Sequence, residues 1–277
     1  LFIDAWPSGW MKTIMDCRRN PKPAYFAYRD ALEPRMLSLR TDRFTYFAGE
    51  QVSIETWLCN DTTLASDHYR VIYELLSGEH VVLRGETSAV LAESDVTYVA
   101  NASFCAPMVD DREKYVLRAI LLDEAGNAVT DNTQEIEVFR HVNIEKNDNV
   151  ELITCLKPGE YTIAGETVRV KTCGMLPLHF VSRKTGHPMV KGFEPTDFRY
   201  WYDAEQDMIT PIIESTFTAS GFTPILISGN QNDHGDWVPV LAAAEKTWNG
   251  KRYVICQVDL RTENPIAERM LARFYQP

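Results

Sequence analysis

No run of about 18 apolar residues occurs anywhere in the sequence, which leaves no candidate membrane span. Cysteine chemistry is equally sparse. The six cysteines, Cys17, Cys59, Cys105, Cys155, Cys173 and Cys256, lie far apart with no C-x-x-C, so neither a zinc site nor a small disulfide scaffold is indicated. They read mostly as buried thiols. Positive charge is also short: 28 Lys and Arg against 39 Asp and Glu give a net charge of -11, and the basic residues are scattered. A nucleic-acid partner needs a concentrated basic face and is disfavoured. The opening "LFIDAWPSGW" has no basic region, apolar core or small-residue cleavage site, so it does not read as a signal peptide, and the expected location is cytoplasmic. There is no internal period of 20 to 50 residues and no low-complexity tract.

What remains is a globular composition, 277 residues at 45% hydrophobic and 11% aromatic, long enough for two ordinary domains. The first segment reads as strand, loop and helix. Leu1-Phe2-Ile3 is a short apolar run, Pro7-Ser8-Gly9 is loop chemistry, and Asn20 or a nearby residue caps a helix over 24–32, entered through Pro21 and Pro23, that Pro34 stops. From 38 to 142 the pattern alternates: Val52, Ile54, Thr56 and Leu58 on one face, then Val96, Tyr98, Ala100, Ala102 and Phe104 on another, with a hairpin signal at Gly126-Asn127. About 100 residues of short strands without a long helical pattern predict an immunoglobulin-like β-sandwich. From 143 to 277 the pattern mixes, with a hairpin in "GEYTIAGETVRVKTCG" and apolar runs in "TPILISGN" and "RYVICQVDL". The end is a helix: Asn264 as N-cap, Pro265 at the first position, then Ile266, Ala267, Met270, Leu271 and Phe274 in one stripe. This region reads as α/β, or as α+β with little helix.

One stretch is more specific. Asp4-Ala5-Trp6-Pro7, Gly9-Trp10, Asp16, the run Pro21-Lys22-Pro23-Ala24-Tyr25-Phe26-Ala27-Tyr28 and Glu33-Pro34 follow one another in a fixed order. Together they resemble the end of the catalytic (β/α)8 barrel in glycoside hydrolase family 2, the β-galactosidase, β-mannosidase and β-glucuronidase group. "FAGEQVSIETWLCND" resembles the opening of the sandwich that follows the barrel in that family. The last region resembles the carboxy-terminal domain of a bacterial subgroup related in fold to class I glutamine amidotransferases, although it is too short for the usual opening strand and helix. The resemblance implies three parts: a barrel remnant at 1–37, the sandwich at 38–142 and an α/β amidotransferase-like domain at 143–277. It also implies a parent enzyme that cleaves a terminal β-linked sugar with retention.

Retention needs two carboxyl groups about 5 Å apart. In the family both are glutamates on earlier barrel strands, the acid/base preceded by Asn, and this chain has no Asn-Glu dipeptide. A barrel takes roughly 200 residues or more. No catalytic residue is therefore expected here, and no cofactor. Asp4, Trp6 and Trp10 would stand near the carboxyl end of the last barrel strand, where an indole stacks on a sugar ring in the intact enzyme. The alternative is that the tryptophans pack under the loop and Asp4 caps a turn.

The other clusters carry a bland reading beside each functional one. Thr172-Cys173-Gly174 lacks the glycine two residues before the cysteine that a glutaminase elbow needs, Cys256 lies in an apolar strand, and Gly186-His187-Pro188 reads as a turn before His187 or His179 reads as a base. Asp233, His234 and Asp236 in "NQNDHGDW" suggest a metal loop but lack calcium-loop spacing, so no metal is expected. Tyr200, Trp201 and Tyr202 form a carbohydrate platform or, more simply, alternate into a core. The expected function is a non-catalytic carboxy-terminal portion of a β-glycosidase. Its role is structural, at the substrate entrance or in homo-oligomerisation, with carbohydrate as the parent's partner. The alternative is a carbohydrate-binding module built on Trp201.

Overall fold

The computed structural model describes residues 3–4, 13–41, 43–174, 181–198, 201–203, 205–261 and 263–276. In chain order the first elements are α1 (Pro23–Ala31), β1 (Arg35–Arg40), β2 (Thr45–Phe47), β3 (Gln51–Asn60), β4 (Ser66–Ser77), β5 (His80–Leu91), β6 (Asp95–Cys105), β7 (Arg112–Leu122) and β8 (Ala128–Phe139). Then come β9 (Val150–Thr154), β10 (Gly159–Ile163), β11 (Glu166–Thr172), β12 (Trp201–Asp203), β13 (Met208–Thr210), β14 (Ser215–Thr218), β15 (Thr223–Gln231), β16 (Trp237–Trp248), β17 (Lys251–Cys256) and α2 (Pro265–Phe274). Strand dominates, 54% against 10% helix. Among the described residues no helix is long and apolar enough to cross a membrane.

Two compact units form, one from Leu1–Thr41, Gln51–Cys105 and Lys114–Ile136, the other from Asp42–Glu50, Ala106–Glu113 and Glu137–Pro277. The first is a β-sandwich. One sheet runs β1-β3-β6 and the other includes β8-β7-β4-β5. Strict alternation drives the pairing: in β3, Val52, Ile54, Thr56, Leu58 and Asn60 are buried, while Gln51, Ser53 and Glu55 are exposed. Leu37 and Leu58 from one sheet meet Tyr69, Val71, Ala89, Leu91, Ala119 and Leu121 from the other in a common core. The expected hairpin at Gly126-Asn127 is present, closed by Asp123, whose Oδ1 accepts from the Asn127 amide at 2.8 Å.

Helix α1 begins at Pro23, with Lys22 at the N-cap and no side-chain cap. Asn20 is therefore not the cap; its side-chain and backbone N–H groups both donate to the Asp16 carboxylate at 2.8 Å. The carboxylate outcompetes the helix end because the i, i+4 loop geometry is local and charge-assisted. No residue of α1 is buried.

In the second unit, a seven-stranded sheet runs β10-β11-β14-β16-β17-β9, with β15 pairing β16. All its pairs are antiparallel except β17 with β9. Of the two readings left open, the described residues form α+β with little helix. The described residues do not show the parallel, helix-covered sheet of an amidotransferase: five of the six pairings are antiparallel. One face of the sheet carries Ala242, Ala243, Val254 and Cys256 under Ile266, Ala267, Met270 and Phe274 of α2. Phe217, Ala244 and Ile255 lie in a second cluster. The helix starts as its sequence dictates: Asn264 Oδ1 accepts from the Ile266 amide at 2.9 Å and from the Ala267 amide at 3.3 Å. β2 also belongs here, parallel to 137–139. Segments 42–50 and 106–113 group with residues from 137 onward in the second unit.

Candidate functional site

A cleft of about 570 Å³ opens in the second unit between the turn after β9, the β12-β13 hairpin and the segment after β17. Its apolar wall includes Leu156, Met208, Ile209 and Pro211. Asp203, fully buried, is its deepest charge. Oδ1 of Asp203 accepts from the amides of Glu205 at 2.9 Å and Gln206 at 3.0 Å, and Oδ2 accepts from Gln206 Nε2 at 3.1 Å and from the Arg261 guanidinium. The bond from Arg261, then that from the Gln206 amide, hold the Asp203 carboxyl below the usual carboxylate range. Burial pulls the Arg261 guanidinium down, but Asp203 and Asp259 outweigh it and raise it. Gln257 fixes the floor: its Oε1 accepts from the Leu156 amide at 2.8 Å and its Nε2 donates to Leu156 O at 3.0 Å and to Ser215 Oγ.

These polar groups are engaged with one another. Asp203 is held ionised by its donors, so it serves neither as a proton donor nor as a raised-pKa acid of the kind glycoside cleavage requires. Cys155, exposed on the rim, has its thiol pushed up by burial and then by Asp259 and Glu214, which removes the thiolate a nucleophile needs. Lys157 and Glu214 are exposed charges at the mouth. The cleft has room for a small molecule against its apolar wall.

The residues singled out from sequence are dispersed. Asp4 is buried, with Thr13 Oγ1 donating to it at 2.7 Å and Lys22 Nζ at 2.7 Å from its Oδ2. Trp6, Trp10, His179 and Tyr200 lie outside the described residues. Trp201 is 1% exposed and its Nε1 donates to Asp259 O at 3.1 Å. The platform expectation is corrected at this position: an indole buried on both faces has none to offer a sugar ring, and the core reading holds. Tyr202 donates its hydroxyl to Asp207, and burial, then that carboxylate, pushes it up to about 12.

Cys173 is buried, its thiol pushed up to about 11 by desolvation, and Cys256, also buried, is raised by the same cause. Both match the inert-thiol reading, whereas Cys105 and Cys155 are exposed, so the expectation of mostly buried thiols is met by only part of the set. His187 sits in the expected turn after Gly186, capping Pro188–Val190: its Nδ1 accepts from the Met189 amide at 3.2 Å and its Nε2 is 3.0 Å from Glu245 Oε1. "NQNDHGDW" is a hairpin turn in which Asn232 Oδ1 accepts from the amides of His234 and Asp236 at 2.9 Å, and Asp233 pairs with Lys171. No three His, Cys, Asp or Glu among the described residues converge to hold a metal. The Asp203–Arg261 pair escaped sequence reading because its members are 58 residues apart; only the local Asp203-x-x-Gln206 turn carried a signal.

Neither a family model nor a curated protein matches the chain. Among solved structures it is similar to a Paenibacillus sp. cycloisomaltooligosaccharide glucanotransferase complexed with cycloisomaltoheptaose, with a TM-score of 0.31 and 16% identity. That likeness covers 46% of this chain and 17% of the other, so this chain spans under a fifth of its neighbour. A likeness that low assigns neither fold nor function.

Proposed function

We propose that the chain is a non-catalytic, carboxy-terminal portion of a family 2 β-glycosidase, with a supporting role beside a barrel that carries the chemistry. The observation that carries this reading is α1. Its sequence follows the family's final barrel helix, yet Phe26, Tyr28 and Leu32 at its end are 45%, 50% and 70% exposed and no residue of the helix is buried. An aromatic helix with no covered face is an element shaped for a neighbour, since a lone helix cannot bury its own apolar stripe. In the intact enzyme Asp4, Trp6 and Trp10 border the sugar, with Asp4 also held by Thr13 and Lys22. Consistent with a supporting role, Asp203 in the cleft is committed to Arg261 and to the Gln206 turn.

The test is the reading frame upstream of the Leu1 codon. The expected result is an open frame long enough for a barrel of roughly 200 residues or more, with an Asn-Glu pair and a second Glu on its strands. A start codon directly before Leu1 would overturn the reading, as would hydrolysis of aryl β-glycosides by the purified chain.

A further inference from the structure

Strand β5 of the first unit ends the sheet order β8-β7-β4-β5, and β4 is its sheet neighbour. Its length, 12 residues, is long for an edge. Natural edge strands are protected by proline, lysine, bulges or covering loops. "HVVLRGETSAVL" contains neither proline nor lysine; its register with β4 shifts at Val82 and again past Ala89, which leaves the regular run 83–89 open, with Leu83 44% exposed. A run of that kind is a template for another strand.

The sequence of β5 also says which strand fits. Leu83, Gly85 and Thr87 share the face of the buried Ala89 and Leu91, while Arg84 and Glu86 share the outer face. In an antiparallel pair about a two-fold axis through Gly85, each residue meets the one equally far on the other side. Arg84 then faces Glu86 of the second copy, and Glu86 faces its Arg84. Within one copy, Glu74 Oε1 is 3.8 Å from Arg84 and Arg70 NH1 is 2.9 Å from Glu86 Oε1, so the added pairs extend an alternating row of charges. On the inner face Leu83 meets Thr87, and Gly85 meets Gly85 with open space around each missing Cβ. Beside that face lies a groove of about 440 Å³ lined by Leu83, Gly85, Thr87, Phe104 and Leu117, which the incoming Leu83 and Thr87 would cover.

We propose that β5 is a self-pairing edge: two copies of the chain join β5 to β5, antiparallel and centred on Gly85. The inference stands independently of the parentage proposed above. A charge-swap experiment on the full chain tests it, with mass measured by light scattering and sedimentation. Wild type is expected to be a concentration-dependent dimer. Arg84→Glu places two acidic residues opposite two more, and Glu86→Arg does the same with basic ones, so each variant alone is expected to dimerise at least ~10-fold more weakly. Mixed in equal amounts, the two variants restore Glu-Arg matches at all four positions and are expected to form a heterodimer, an outcome that misfolding of either variant would not give. A monomeric wild type at about 100 μM, variants that dimerise alone as wild type does, or a mixture that stays monomeric would each overturn the proposal.

Discussion

Arg112 grips Asp197 with two nitrogens of its guanidinium, NH2 to Oδ1 at 2.9 Å and NH1 to Oδ2 at 3.1 Å, while Nε and NH2 also donate to Glu137 Oε1 at 2.8 and 2.6 Å. The guanidinium carbon stands 4.9 Å from the centre of the Phe139 ring. The Asp197 side chain is 1% exposed and that of Arg112 is 16%. Within the second unit this network ties the short helical turn Pro195–Phe198 to Arg112 and Glu137.

Replacing Arg112 by Met leaves two carboxylates without their shared cation, one of them buried. The expected loss is about 3 kcal/mol, because removing one partner of a buried pair exposes the full desolvation cost of the other. Urea unfolding monitored by tryptophan fluorescence measures it. The triple variant Arg112→Met, Glu137→Gln, Asp197→Asn should recover part of the loss. A single variant within about 0.5 kcal/mol of wild type, the range of ordinary surface substitutions, would mean that the network contributes little.

The Asp203 carboxyl is held below its ordinary value by Arg261 and the Gln206 amide, so the folded state binds its proton more weakly than the unfolded chain. For a depressed acid, the stability it contributes is fully present above the unfolded value of about 4 and is lost as pH falls through the lower folded value. Asp203→Asn should therefore melt below wild type at neutral pH, and the gap should close as both are taken toward about pH 2, near the low end for a well-bonded carboxylate. Melting curves of the two proteins across pH measure this. A gap that persists unchanged in acid would show that the defect comes from packing of the cleft and not from the charge of Asp203.

Local pattern carried much of the fold. β3 was legible because one face is buried and the other wet, which forces Val52, Ile54 and Leu58 to alternate. Helix α2 was legible because Asn264, Pro265 and the stripe from Ile266 to Phe274 all state the same start and face. Strand β2 was not, because it depends on a pairing distant in sequence: Thr45 lies opposite Glu137, and three residues carry no period of their own. The cap of α1 was legible only as Asn20 or a neighbour, because Asp16 competes for the Asn20 side chain and Lys22 takes the cap position. The cleft was hidden for a related reason. Asp203 and Arg261 each sit in an unremarkable local context, and only the folded sheet brings the β12 hairpin to the segment after β17.

Trp201 separates a packing role from a sugar-binding one. Its indole lies in the core cluster with Phe198, Ile212, Ile213 and Val258, and its N–H is already committed to Asp259 O. Trp201→Ala is expected to cost about 4 kcal/mol, from lost transfer energy plus the cavity left behind. Trp201→Phe keeps most of the volume and loses the hydrogen bond, so about 1–2 kcal/mol is expected. Calorimetry of the two variants gives the order Ala below Phe below wild type. A glycan panel should give the same response for wild type and the folded Trp201→Phe variant, because the indole has no open face. A wild-type glycan signal abolished by Trp201→Phe at unchanged melting temperature would refute the core assignment and restore the binding-module reading.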